Sequence, residues 1–139
     1  MKKLFVSVPM KGRTEEEIKT SIQKMKKIAE IYEGEKLELI NNLIDGSVSE
    51  KDNKYALYLG ERIKNMAQAD VFIGISESWT WLNCYTECSI ALKCGIKTYS
   101  VSATGVIDNY AEYVKKESEK FTVFSPELEP CSCSTERYL

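Results

Sequence analysis

The chain has 139 residues, 43% hydrophobic and 29% charged, with a formal net charge of −2. Such a composition supports one packed core and argues against disorder, and the missing basic excess argues against polymeric nucleic acid as a partner. There is no histidine, which removes the usual general base and the commonest metal ligand and leaves acid–base work to Asp, Glu, Tyr, Cys or Lys.

Residues 4–8 form an apolar, β-branched run that predicts a buried strand. Pro9 ends it, and Gly12 permits a tight turn before Arg13. Thr14 with Glu17 has the spacing of a capping box. Ile18, Ile22, Met25, Ala29 and Tyr32 then recur at helical spacing, and Gly34 supplies a stop. Residues 37–40 read as a second strand, and 41–52 as a polar, turn-rich stretch. Tyr55, Leu59, Ile63 and Met66 mark a second helix. Asp70 precedes a third strand, 71–75, and reads as structural.

A loop with Glu77, Trp79 and Trp81 leads into a third helix that carries Glu87. Its expected buried stripe is Cys84, Cys88, Ala91 and Gly95, with Glu87 beside it. Residues 97–102 give a fourth strand, Tyr110, Tyr113 and Val114 another helix, and 121–124 a fifth strand. Alternating strands and helices imply an α/β fold: a three-layer, doubly wound, five-stranded parallel sheet of Rossmann or flavodoxin type. One domain is expected over 1–125, followed by a polar tail, 126–139.

Five cysteines are present. None forms a Cys-x-x-Cys pair, and Cys131 and Cys133 lie too close for an unstrained bridge. The expectation is a reduced, cytoplasmic protein with no metal and no cofactor. No signal peptide is expected, and no apolar run has the length to span a bilayer.

A carboxylate at Glu87 would face the crevice beyond the carboxyl ends of the strands, where open α/β sheets bind ligands. The plainer reading is a first-turn glutamate complementing the helix dipole. The dinucleotide fingerprint and the Walker loop are both missing after the first strand. The loop Pro9, Met10, Lys11, Gly12 and Arg13 could hold a phosphate at a helix start, although Glu15, Glu16 and Glu17 crowd the same end, and Ser7 at the strand end is a further ligand candidate. A solvated turn is the competing reading. One of Trp79 and Trp81 would face the crevice if that stretch is extended, available to stack on a base; both roofing the core is the alternative. Asp45, Asp52 and Asn53 fall in the loop above the crevice, but no spacing singles one out.

Taken together, residues 4–13, 69–73 and 79–95 resemble the nucleoside 2-deoxyribosyltransferase-like superfamily, closest to a small, often phage-encoded branch. The resemblance implies that Glu87 matches a catalytic glutamate, which attacks the anomeric carbon of a sugar and breaks an N-glycosidic bond. It also aligns Lys11, Gly12 and Arg13 with the phosphate loop of related nucleotide hydrolases. Glu77, Trp79, Trp81 and Asn83 become candidates for base or sugar contact. The chain departs from the pattern at 82–85, where active members carry a glycine-rich approach.

Two expectations follow: an enzyme acting at an N-glycosidic bond of a nucleotide, or a protein that sequesters a nucleotide-derived molecule in the same pocket. A third, an interaction module, draws on the tail alone. The expected partner is a small nucleotide-like ligand, with no membrane and no polymeric nucleic acid, and a homo-oligomer is expected because crevices in this superfamily are often completed by a neighbouring subunit.

Overall fold

Hydrophobic periodicity and turn chemistry build a parallel α/β sheet. The computed structural model describes residues 1–40, 54–78 and 81–122, with the backbone alone for 54, 55 and 117–122. The elements are β1 (Lys3–Val6), α1 (Glu15–Glu33), β2 (Glu38–Leu39), α2 (Lys54–Met66), β3 (Val71–Ile75), α3 (Leu82–Lys93), β4 (Lys97–Val101), α4 (Ala103–Val106) and α5 (Tyr110–Thr122). Among the described residues the sheet has four strands, all parallel, in the order β2-β1-β3-β4. The chain divides into two compact units, Met1–Ile107 and Asp108–Leu139. The tail expected at 126–139 lies outside the described residues.

Local signals account for the boundaries. Thr14 caps α1 through the Glu17 N–H, and the Glu17 carboxylate accepts from the Thr14 N–H at 2.8 Å. Gly34 ends α1 in the left-handed region at φ 73°, donating its N–H to the Glu30 carbonyl. Asp70 ties the start of β3 to β1: its carboxylate accepts from the Lys3 N–H at 2.9 Å, and its own N–H donates back to the Lys3 carbonyl.

Strand alternation sorts the core. Phe5 and Phe72 lie side by side in register, stack at 5.7 Å, and join Met66 of α2 and Ala91 of α3 in one cluster. Val71, Ile73 and Ile75 point the other way and are equally buried. Buried on both sides, the inner strands read as continuous apolar runs. Helix α1 packs against β1 and β3, and α3 against β3 and β4.

The fold departs from the sequence expectation in the following elements. Of the segment expected as a fifth strand, 121–124, the first two residues belong to α5, which runs through Thr122, and the other two lie outside the described residues; a short β-favouring apolar run at a helix end cannot be told from a strand by periodicity. Helix α4 was not expected, because four residues carry no period. Tyr32, placed on the α1 stripe, is 56% exposed and stacks on Tyr99, while Ser21 takes a buried place instead.

Candidate functional site

The core cluster has a polar layer directly above it. In a βαβ unit the helices run against the strands, so moving toward a helix N-terminus means moving toward the carboxyl ends of the strands. Two residues beyond Phe5 on the same side of β1 is Ser7; one turn before Met66 is Arg62; one turn before Ala91 is Glu87. These three side chains meet. The Ser7 hydroxyl donates to Glu87 Oε1 at 2.7 Å. Arg62 clasps the same carboxylate, Nε donating to Oε2 and Nη2 to Oε1 at 3.1 Å. Nη2 also donates to the Val6 carbonyl at 3.3 Å. The Arg62 guanidinium lies 4.9 Å from the Phe5 ring centre, a cation–π contact that roofs the apolar layer.

Arg62 and Glu87 are each 1% exposed, and Ser7 is fully buried. Isolated charges at that depth would be strongly disfavoured; the bidentate pair makes them tolerable. Burial works against the Arg62 charge, but hydrogen bonds and charge from Glu87 outweigh it and raise the Arg62 pKa. Cys84, one turn before Glu87, is 2% exposed. Burial pushes its thiol up to about 12, with the hydrogen bond to Ser7 opposing and the Glu87 charge adding. Cys84 is therefore a protonated core thiol at neutral pH and not a nucleophile.

A third layer continues upward. Tyr58, one turn before Arg62, donates its hydroxyl to Met10 Sδ at 2.8 Å and sets its ring 5.8 Å from the Arg62 guanidinium. Its pKa is raised, first by burial. This ties α2 to the loop after β1. The Ser7 N–H donates to the Ile73 carbonyl at 2.9 Å, which fixes the site at the carboxyl ends of β1 and β3. In the order β2-β1-β3-β4, that is where the chain's winding direction reverses, the usual place for a ligand crevice.

The expected ligand-contacting residues divide. Ser7 and Glu87 come together, and Pro9 and Met10 line the loop above them, Pro9 buried and Met10 half-buried. Lys11 and Gly12 are exposed, with Gly12 at φ 76°. Arg13 is turned back onto α1: it donates to the Pro9 carbonyl at 2.9 Å, the Glu17 carbonyl at 3.2 Å and Ser21 Oγ at 2.6 Å. A guanidinium with three protein acceptors is a brace for the loop. Glu77 caps α4, accepting from the Ala103 N–H at 2.9 Å and the Ser102 hydroxyl at 3.4 Å. Trp81 is the N-cap residue of α3, half-buried, and Asn83 is half-buried in the first turn. Trp79 and the loop residues Asp45, Asp52 and Asn53 lie outside the described residues.

Glu87 itself is on the buried face of α3 with Cys84 and Ala91, not beside it, and Cys88 is only half-buried. The stripe follows the spacing 84-87-91, because Ser7 and Arg62 satisfy the carboxylate there. Arg62 and Tyr58 were missed. The signal was present: Leu59, Arg62 and Met66 share one α2 stripe at spacings of three and four. A cation on an apolar stripe implies a buried carboxylate partner.

Among the described residues no group of three His, Cys, Asp or Glu side chains is arranged to hold a metal, and no helix is long and apolar enough to cross a membrane. Compared with protein-family models, curated proteins and solved structures, the chain finds no match.

Proposed function

We propose that the chain binds a small nucleotide or nucleotide-derived molecule in the crevice beyond β1 and β3 and returns it intact. The place supports a ligand: a parallel-sheet switch point, a glycine-containing loop with an exposed lysine, and a helix start. The resemblance of residues 4–13, 69–73 and 79–95 to nucleoside 2-deoxyribosyltransferase-like proteins supports the nucleotide class. In this reading Lys11 and the backbone around Gly12 meet a phosphate. The α3 start, with Trp81 and Asn83, meets base or sugar, and Arg13 and Glu77 shape the loops.

One observation favours holding over turnover. Both oxygens of Glu87 are engaged by Arg62 in a pair almost wholly withdrawn from solvent. A nucleophile must bring an oxygen to within about 3–3.5 Å of the reacting carbon. Cleavage or transfer at the N-glycosidic bond, with Glu87 as the attacking carboxylate, is the second reading. It is favoured by the position of Glu87 and by the Ser7 hydroxyl, which fixes one oxygen from the strand end. A cytoplasmic setting, a homo-oligomer completing the crevice, and a three-layer doubly wound fold belong to the same proposal.

Incubation of the purified chain with nucleosides, deoxynucleotides and nucleotide second messengers tests it, with ligand and free base followed by chromatography. Ligand depleted from solution and recovered intact after denaturation is the expected result. Free base whose release disappears in Glu87→Gln would replace the holding reading with the enzymatic one.

A further inference from the structure

The three-layer stack of side chains assigns Arg62 a role beyond charge balance. It is the one buried cation among the described residues. Contacts that hold it in place include two hydrogen bonds to Glu87, one to the Val6 carbonyl, and the Phe5 and Tyr58 rings. Ser7 by itself orients Glu87, because its hydroxyl engages only Oε1. A carboxylate fixed through one oxygen has the other available for attack. Arg62 Nε takes that other oxygen. The guanidinium also neutralises the carboxylate it clasps, and a neutralised carboxylate stabilises a developing oxocarbenium charge less than a bare one does.

The geometry points to Arg62 as an internal lock on Glu87: its guanidinium holds in an inert ion pair a carboxylate that would otherwise cleave the N-glycosidic bond of the bound nucleotide. The inference rests on the nucleotide-binding reading above. The withheld reaction is a double displacement. A Glu87 oxygen forms a bond to the anomeric carbon as the carbon–nitrogen bond breaks. The base leaves with the bonding pair and takes a proton from water. Water then adds to the same carbon, the ester carbon–oxygen bond breaks, and the carboxylate, the free sugar phosphate and a proton result.

Neutral, unbranched methionine keeps much of the arginine stem, so Arg62→Met removes the lock with the least loss of packing. Arg62→Lys keeps a cation but loses the fork that clasps both oxygens. The wild type, both variants and the double variant Arg62→Met with Glu87→Gln are incubated with the 5′-monophosphates of deoxyadenosine, deoxyguanosine, deoxycytidine and thymidine. Binding, free base and thermal melting are measured on each. Base release from Arg62→Met is expected at least ~10-fold above wild type, with a smaller rise for Arg62→Lys and none in the double variant. A purely structural role for Arg62 predicts no gain of activity in any variant.

Folded variants that bind the probes like wild type and release no base overturn the lock and leave the binding reading standing. Glu87-dependent release by the wild type that falls in both variants overturns it too, making Arg62 a support for the nucleophile. If Arg62→Met does not fold, Arg62→Lys carries the test: release above wild type supports the lock, and release at or below wild type overturns it. Failure of every chain to bind any probe removes the binding reading and the lock together.

Discussion

Two glutamates at opposite ends of the sheet both hide their carboxylates from solvent, and they are held in different ways. Glu87, at the carboxyl ends of the strands, faces a single arginine whose side chain is 2% exposed. Glu33, at the end of α1, has a side chain only 1% exposed but is reached by cations that are themselves in water. Lys97 Nζ lies at 2.6 Å and Lys2 Nζ at 3.2 Å, with side chains 59% and 47% exposed, and the Tyr99 hydroxyl donates as well. The hydrogen bond from Lys97, and then that from Tyr99, hold the Glu33 carboxyl down to about 2. At one end the charge pair is sealed into the core. At the other the acid is a staple joining α1, the start of β1 and β4. An exposed partner can be replaced by water, whereas a sealed one cannot.

The sharpest way to break this comparison is to delete one cation at the sealed end. Arg62→Ala leaves Glu87 buried without its partner and is expected to cost about 3–5 kcal/mol in urea unfolding. Replacing both members by apolar residues, as in Arg62→Met with Glu87→Leu, should recover most of that loss. A loss below about 1 kcal/mol for Arg62→Ala would put the two ends in the same class.

Ser7→Ala comes next. It removes one donor to a buried carboxylate and leaves the Arg62 clasp in place, so a loss of about 1–2 kcal/mol is expected by the same method.

At the open end, Glu33→Gln should lower the melting temperature by less than Arg62→Ala, and added salt should shrink the difference from wild type. The pH dependence has a definite sign. The folded pKa of Glu33 is depressed from 4.5 to about 2. Its contribution is therefore fully present above the unfolded value and is lost as pH falls from there toward 2. Wild type and Glu33→Gln should converge in melting temperature over that window, and a gap that persists at its acid end contradicts the staple.

The smallest effect is chemical. Each end has a thiol: Cys84 buried beside Glu87, and Cys94 exposed at the end of α3. With its pKa at about 12, Cys84 should resist a thiol reagent at mildly alkaline pH until the chain unfolds, while Cys94 labels in the folded state. Peptide mapping separates them. Fast labelling of Cys84 in folded protein would mean that the sealed end opens readily.

Much of this architecture was legible in the chain. The capping box at Thr14, the left-handed stop at Gly34 and the apolar runs of β1 and β3 depend on neighbours in sequence, and local chemistry specifies them. Ser7 and Glu87 were legible as candidates because a strand end and the N-terminal half of a helix point to one crevice. The partner of Glu87 was not, because the apolar period of the second helix runs through Leu59, Ile63 and Met66 and does not include Arg62. Arg13 is a ligand candidate from its charge and position in the loop, and Glu77 from the resemblance. Arg13 also braces the loop through Pro9, Glu17 and Ser21, and Glu77 caps α4 through Ala103, 26 residues on, where local spacing gives no signal.

The most direct measurement is a backbone amide chemical-shift titration of the whole chain with a deoxynucleoside 5′-monophosphate. A ligand held beyond β1 and β3 predicts shifts concentrated in residues 7–13, around Tyr58 and Arg62, and in the first turn of α3, with Lys2, Glu33 and Lys97 unmoved. Shifts gathered at the Glu33 end, or none up to millimolar ligand, would contradict the placement of a nucleotide site at the sealed end of the sheet.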